Sequence, residues 1–341
     1  MSQRWLRVLV GALSSARAVW EASPRQMREL GVPEEQVLAI SAHASRLTVP
    51  SPDVERAWHL GYRVLSCWDR DYPPWLRQMP DPPIILYCRG EVRPEDEKAV
   101  AVVGTRRATA YGLEVAGRLA RSLARAGLTV VSGLARGIDT CAHREALAAG
   151  GRTIAVLGSG LDRVYPAENR SLCGDIATRG AVLTEYPPGT NALPQHFPAR
   201  NRIIAGLARG VVVVEAPVQS GALITADWAE RLGRPVMAVP GPITRRESGG
   251  CNRLIRDGAH LVEGAEDVLC VLGTGAVTPV GPPEMEPGEQ LVWDLLEHGS
   301  SYDRLQAESR LGAGELAAVL LSMELKGLVR RLPGQVYVRT W

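Results

Sequence analysis

Lysine is almost missing from this sequence: of 39 Lys and Arg residues only Lys98 and Lys326 are lysine, leaving 37 arginines. Chemistry that needs a lysine, such as a Schiff base or a P-loop, has two positions to choose from, and neither lies in a suitable motif. Phenylalanine occurs once, at Phe197. The six cysteines (Cys67, Cys88, Cys141, Cys173, Cys251, Cys270) form no C-x-x-C pair. Their scatter argues against a zinc site and a disulfide framework, and points to reduced, buried thiols in a cytoplasmic protein. Long apolar runs are also lacking. The segment 210–217 is among the most apolar and falls far short of the ~20 residues that cross a bilayer. Arg4 and Arg7 stand near the N-terminus without a long apolar stretch and cleavage site behind them, so no signal peptide is expected. The six histidines are too dispersed for a metal site, and neither metal nor cofactor is expected. With 45% hydrophobic residues and a net charge of +2 over 341 residues, whole-chain disorder is excluded and about two domains are implied.

Three segments are present. Residues 1–80 read as a helical domain of the SAM or helix-hairpin kind, with helices at 2–13, 23–30 and 34–45 and a hinge at Leu30-Gly31-Val32-Pro33. Its ten basic and eight acidic residues do not favour a DNA platform. Residues 81–272 alternate strand and helix. β-Branched runs at 99–103, 128–132, 153–157, 181–185, 211–215 and 235–239 enclose helical stretches at 111–126, 139–149, 167–179, 200–208 and 222–232. Strands so uniformly apolar are covered on both faces, which predicts an α/β fold with a doubly wound, Rossmann-like parallel sheet. Residues 273–287, rich in Gly, Pro and Thr, read as a linker. Beyond it, 288–341 carries three helices and a hairpin turning at Pro333-Gly334, the pattern of a winged-helix domain. From residue 273 onward acidic residues outnumber basic ones nine to six, which suits a protein-contact or regulatory appendage better than a duplex-binding one.

Chemistry concentrates at the strand ends. The first run leads into Gly104-Thr105-Arg106-Arg107, the second into Ser132-Gly133-Leu134-Ala135-Arg136-Gly137, the third into Gly158-Ser159-Gly160. A doubly wound sheet brings such turns to one edge, where glycine permits close approach and helix N-termini offer N–H groups to anions. Arg106, Arg107 and Arg136 beside them indicate an anionic ligand. The first turn is not G-x-G-x-x-G, and no G-x-x-x-x-G-K-[ST] occurs, so neither a dinucleotide nor a P-loop nucleotide fits. After the fourth strand comes Phe197-Pro198-Ala199-Arg200-Asn201-Arg202-Ile203-Ile204. A base stacked on the aromatic ring with arginines on phosphates is the physics of single-strand binding. The same residues read equally well as a core phenylalanine flanked by solvated arginines.

These runs, together with GSGLDRVYPAEN at 158–169, SGALITA at 220–226 and Ala238-Val239-Pro240-Gly241, resemble the DNA-processing protein A (DprA/Smf) family closely over about 100–270 and more loosely in the flanks. The resemblance implies a non-enzymatic protein that binds and protects incoming single-stranded DNA in natural transformation. It also implies help in loading the RecA recombinase, and action as a homodimer or higher oligomer. It carries Gly104, Arg106, Ser132, Gly133, Gly158, Arg200, Asn201 and Arg202 into the binding pocket. Arg107, Arg136 and Phe197 join them on the physical reading, and Thr105 stands where the family usually has serine, keeping the hydroxyl. The rival class is a nucleoside-monophosphate phosphoribohydrolase of similar shape, for which Asp162, Glu185 and Glu215 would supply acid–base pairs. Its P-G-G-x-G-T-x-x-E turn is missing here.

Overall fold

The computed structural model describes residues 3–44, 51–274, 285–296, 299–326, 328–332 and 334–339. It divides into two compact units, 1–272 and 273–341.

A nine-stranded sheet organises the first unit. Its strands are β1 (Arg63–Ser66), β2 (Ile85–Gly90), β3 (Ala99–Val103), β4 (Thr129–Ser132), β5 (Thr153–Val156), β6 (Ala181–Thr184), β7 (Val211–Val213), β8 (Val236–Ala238) and β9 (His260–Leu261). They lie in the order β1-β2-β6-β5-β4-β3-β7-β8-β9. Strands β3 to β9 pair in parallel, as the apolar runs predict, whereas β1–β2 and β2–β6 are antiparallel. The parallel part starts in the middle with β3 and winds outwards first to β6 and then to β9, so the order reverses between β3 and β7. Ala101 of β3 sits between Val131 of β4 and Val211 of β7. Every residue of β3 is buried. Burying one such valine is worth about 1.5–3 kcal/mol, which is why the run AVAVV sits at the centre.

Helices cover both faces. Ala110–Arg125 begins at Thr109, whose hydroxyl accepts from the Gly112 amide, and buries Val115, Leu119 and Leu123 at helical spacing. Helix His196–Leu207 starts four residues before the expected 200. Pro198 falls in its first turn, where no intrahelical N–H is needed. The helix is buried from Arg200 to Leu207, and Gly206 lies so close to Met79 that a Cβ would stand 2.2 Å from its sulfur.

The N-terminal segment differs from the all-helical expectation for 1–80. Four helices, Gln3–Leu13, Ala16–Glu21, Pro24–Glu29 and Glu34–Ala44, surround their own core of Leu9, Val19, Met27, Val37 and Ile40. A fifth, Pro52–His59, then leads into β1, which is part of the sheet. The sheet layer therefore begins at Arg63 rather than after residue 80. Beyond β8 the helices Gly249–Arg256 and Ala265–Val271 flank β9.

The second unit is a winged-helix fold. Helices Pro287–Leu295, Tyr302–Ser309 and Ala313–Leu325 pack with a three-stranded sheet, β10 (Ser300–Ser301), β11 (Val329–Leu332) and β12 (Val336–Arg339), ordered β10-β12-β11. Buried Glu289 accepts from Ser322 Oγ and Lys326 Nζ, both at 2.7 Å, so one of the two lysines has a structural partner. The third helix carries Glu315 and Glu324 and no basic residue. Residues 275–284 of the expected linker, together with 297–298, Pro333 and 340–341, lie outside the described residues. Among the described residues no helix is long and apolar enough to cross a membrane.

Candidate functional site

At the carboxyl ends of β3 and β7, where the strand order reverses, the sheet opens into a cleft of about 660 Å³. Open α/β sheets hold their ligands at this point. Gly104, Thr105, Arg106 and Arg107 form one wall, with Ala135 and Asp139 beside them. Tyr165, Phe197, Arg200 and Asn201 form the second, and Pro217, Gln219, Ser220 and Thr225 close the third. A small annex continues between Arg106, Gly133, Arg136, Tyr165, Phe197 and Arg200.

The aromatic floor has one half-buried ring at its centre. Phe197 rests on Gly158, where a Cβ would come within 3.1 Å of the ring. Tyr165, 45% exposed, lies with its ring centroid 5.7 Å from that of Phe197. The Arg106 guanidinium stands over the same phenylalanine, 5.0 Å from the centroid. Phe197 is thus a half-buried ring lining the cleft rather than a core residue. Tyr165 went unassigned at the sequence level, although it stands in the quoted GSGLDRVYPAEN run.

The cations divide sharply. Arg106 and Arg107 are exposed, and among the described residues neither forms an ion pair. Arg136 is exposed but held by Glu168 through two contacts of 2.5 and 3.0 Å. Arg200 is buried in the floor, and its Nη1 donates to the carbonyls of Gly133 (2.7 Å) and Val156. Burial pulls its guanidinium down to about 10, against the pull of Asp139, so it remains charged at neutral pH. Gly133 lies flat beneath it: a Cβ there would fall 2.6 Å from Arg200 Nη2. Arg202 is not brought to the cleft. It is buried and pairs with Glu185 at 2.5 Å. Asn201 donates to the Gly221 carbonyl at 3.0 Å and so ties two helices across the cleft. Ser132 is fully buried, its hydroxyl donating to Val102 O at 2.7 Å, which makes it a sheet fastener.

Several amides of the glycine turns are already engaged within the fold. The Thr105 N–H donates to Glu215 O (2.7 Å), and the Arg107 N–H to the Thr105 hydroxyl (3.2 Å). That second bond is the use of the hydroxyl that threonine and serine share. The amides of Gly133 and Ala135 both donate to Asp139 Oδ2, at 3.1 and 3.3 Å, and that of Gly160 to Thr190 O at 2.9 Å. Gly104 is needed for close approach, since a Cβ would lie 2.5 Å from Ile138 Cγ1. Burial raises the Asp139 carboxyl, while Arg200 and the two amides oppose the shift. Behind it, burial drives His143 down to about 3, aided by the charge of Arg200. These five amides are thus engaged within the fold, and the cations that face the cleft are side chains.

The carboxylates that a hydrolase would need are employed elsewhere. Glu215 is 2% exposed and accepts from the Thr109 amide (2.8 Å) and hydroxyl (2.7 Å). Glu185 holds Arg202, and Asp162 accepts from the Gly189 amide at 2.7 Å. Asp139 is the one carboxylate among the lining residues. Among the described residues, no group of three or more His, Cys, Asp or Glu side chains is gathered to hold a metal ion.

Comparison with known proteins agrees with this geometry. The sequence profile of DNA recombination-mediator protein A matches residues 63–273, starting at β1, and that of the DprA winged helix domain matches 264–335. Protein Smf from Synechocystis sp. is 35% identical over an alignment covering 94% of this chain and 91% of that protein. DNA processing protein DprA from Streptococcus pneumoniae is 42% identical over 70% of this chain and 88% of its own length. The X-ray structure of DNA processing protein A from S. pneumoniae superposes with a TM-score of 0.70 at 37% identity, covering 79% of this chain and 93% of that one. A structure of DNA processing protein A from Helicobacter pylori, described for its single-stranded DNA binding mode, gives a TM-score of 0.56 at 32% identity, over 62% of this chain and 96% of that one. With the profile spanning most of the chain and relatives matched over nearly their whole length, the chain belongs to the DNA recombination-mediator protein A family.

Proposed function

We propose that the cleft binds single-stranded DNA without regard to sequence. A base stacks on Phe197 beside Tyr165, and the adjoining phosphates are taken by Arg106 and Arg107. The carrying observation is the partly exposed aromatic pair under an unpaired arginine, in a cleft whose floor is charged by buried Arg200. The H. pylori relative, described as binding single-stranded DNA, supports the same ligand class. On this reading the protein acts by binding rather than catalysis. It works in the cytoplasm, as a homodimer or higher oligomer, protects DNA taken up in natural transformation and helps load RecA recombinase onto it.

The test is titration of labelled single-stranded and duplex DNA across a salt series. Single strands bind more tightly, and log K falls by about 0.7 per log unit of salt for each phosphate held. Equal affinity for duplex, or an affinity indifferent to salt, overturns the proposal. So does release of free base from a nucleoside monophosphate.

A further inference from the structure

One motif of the sequence, Ala238-Val239-Pro240-Gly241, plays no part in the cleft. The loop it opens leaves the carboxyl end of β8, on the same edge of the sheet. There a second hollow of about 470 Å³ is lined by Tyr111, Pro240, Gly241, Pro242 and Arg245. Tyr111 stands in the first turn of the helix that follows Arg106 and Arg107, so one segment of chain borders both hollows. Strand β8 is two places from β3, about 10 Å at ordinary strand spacing.

The hollow is built firmly. The Tyr111 hydroxyl donates to Pro240 O at 2.8 Å. The Asn252 side chain grips Gly241 from both sides, donating to its carbonyl (2.9 Å) and accepting from its amide (3.1 Å). A bond from the Arg245 amide to Pro242 O at 3.0 Å closes the turn. On this rigid frame sit several exposed groups. Ile243 is 93% exposed and Tyr111 44%. Arg245 and Arg246 are exposed, and among the described residues neither forms an ion pair. A single exposed isoleucine is ordinary. An aromatic face, an apolar tip and two free guanidiniums on a braced loop at the ligand edge make a stacking seat with phosphate holders.

We infer that a bound single strand continues from the cleft onto this shelf. The next base lies against Tyr111 and Ile243, and its phosphates meet Arg245 and Arg246. This rests on the reading of the cleft proposed above, and it adds a second subsite that sets how long a strand the protein engages.

The experiment compares oligothymidylates of about six and about sixteen nucleotides, lengths that span the range of single-strand sites. The proteins are the full chain and three variants, Tyr111→Ala, Ile243→Ser and the pair Arg245→Gln, Arg246→Gln. Ile243 and the arginines are exposed, so these changes spare the fold, and Tyr111→Phe controls for loss of the Pro240 bond. On the longer strand, Tyr111→Ala weakens binding roughly tenfold while Tyr111→Phe binds like the parent. The arginine pair flattens the salt slope by about 0.7 for each phosphate lost. On the short strand all variants match the parent. Variants indistinguishable from the parent on the longer strand, or weakened equally on both lengths, overturn the shelf while leaving the cleft standing. A parent protein that binds neither length overturns both.

Discussion

Replacing Phe197 by alanine separates a stacking platform from a structural ring. If a base lies on that ring, the substitution costs about 1–3 kcal/mol, or roughly five- to 150-fold in Kd. The ring is only partly buried, so the stability loss stays below the ~3–5 kcal/mol of a fully buried phenylalanine. No charge is removed and the salt slope holds. Arg106→Ala works differently because its guanidinium covers the ring in the free protein. A lost phosphate contact costs about 1.5–3 kcal/mol, while uncovering the ring returns about 0.5–1. The net is roughly 0.5–2.5 kcal/mol, about two- to seventyfold, with the slope flatter by about 0.7. Fluorescence anisotropy over a salt series, with melting curves for each variant, reads all three quantities. A Phe197→Ala protein that melts much lower yet binds normally would refute the stacking platform. So would one whose salt slope flattens as much as that of Arg106→Ala.

Two further expectations concern the layer beneath the cleft. His143 is held near 3 in the fold but titrates near 6.5 unfolded, so below about pH 6.5 the unfolded chain takes a proton that the folded chain refuses. Stability then falls by about 1.4 kcal/mol per pH unit toward the folded value; denaturant titrations show it, and His143→Gln removes that slope or the assignment fails. Gly133→Ala puts a methyl 2.6 Å from Arg200 Nη2 and forces the guanidinium off its carbonyls. It should destabilise by about 1–3 kcal/mol and weaken single-strand binding, and wild-type melting and affinity together would show that Arg200 does not set the floor.

The parallel strands were legible because β-branched runs buried on both faces leave a uniform apolar signature, as at β3. Strands β1 and β9 carried none: the first is four residues of which only Leu65 is buried, the second two exposed residues. Of the glycine turns, Gly104 lines the cleft and Gly133 its annex. What they could not show was that the Asp139 carboxylate had already taken the amides of Gly133 and Ala135, and the Glu215 carbonyl that of Thr105. Arg200 and Arg202 looked alike in sequence, two residues apart, yet one floors the cleft and the other turns to Glu185, seventeen residues before it and at the end of β6. A partner so placed is set by topology and leaves no local trace. Tyr165 was visible as an aromatic next to Pro166, but nothing in the run said that its ring would meet Phe197.

The carboxylate of Asp139, seated on the amides of Gly133 and Ala135 just before a helix, takes up N–H groups of the kind that hold anions at helix N-termini. The fold has plugged its own cup. A cup of amides fits one phosphate in one pose and would hold a free mononucleotide as readily as a polymer. Arginine arms on a rim hold each phosphate more loosely and gain strength by repetition along a chain. Such a site discriminates by length before it discriminates by chemistry: inorganic phosphate and mononucleotides should fail to displace a bound oligonucleotide at concentrations where a second strand succeeds.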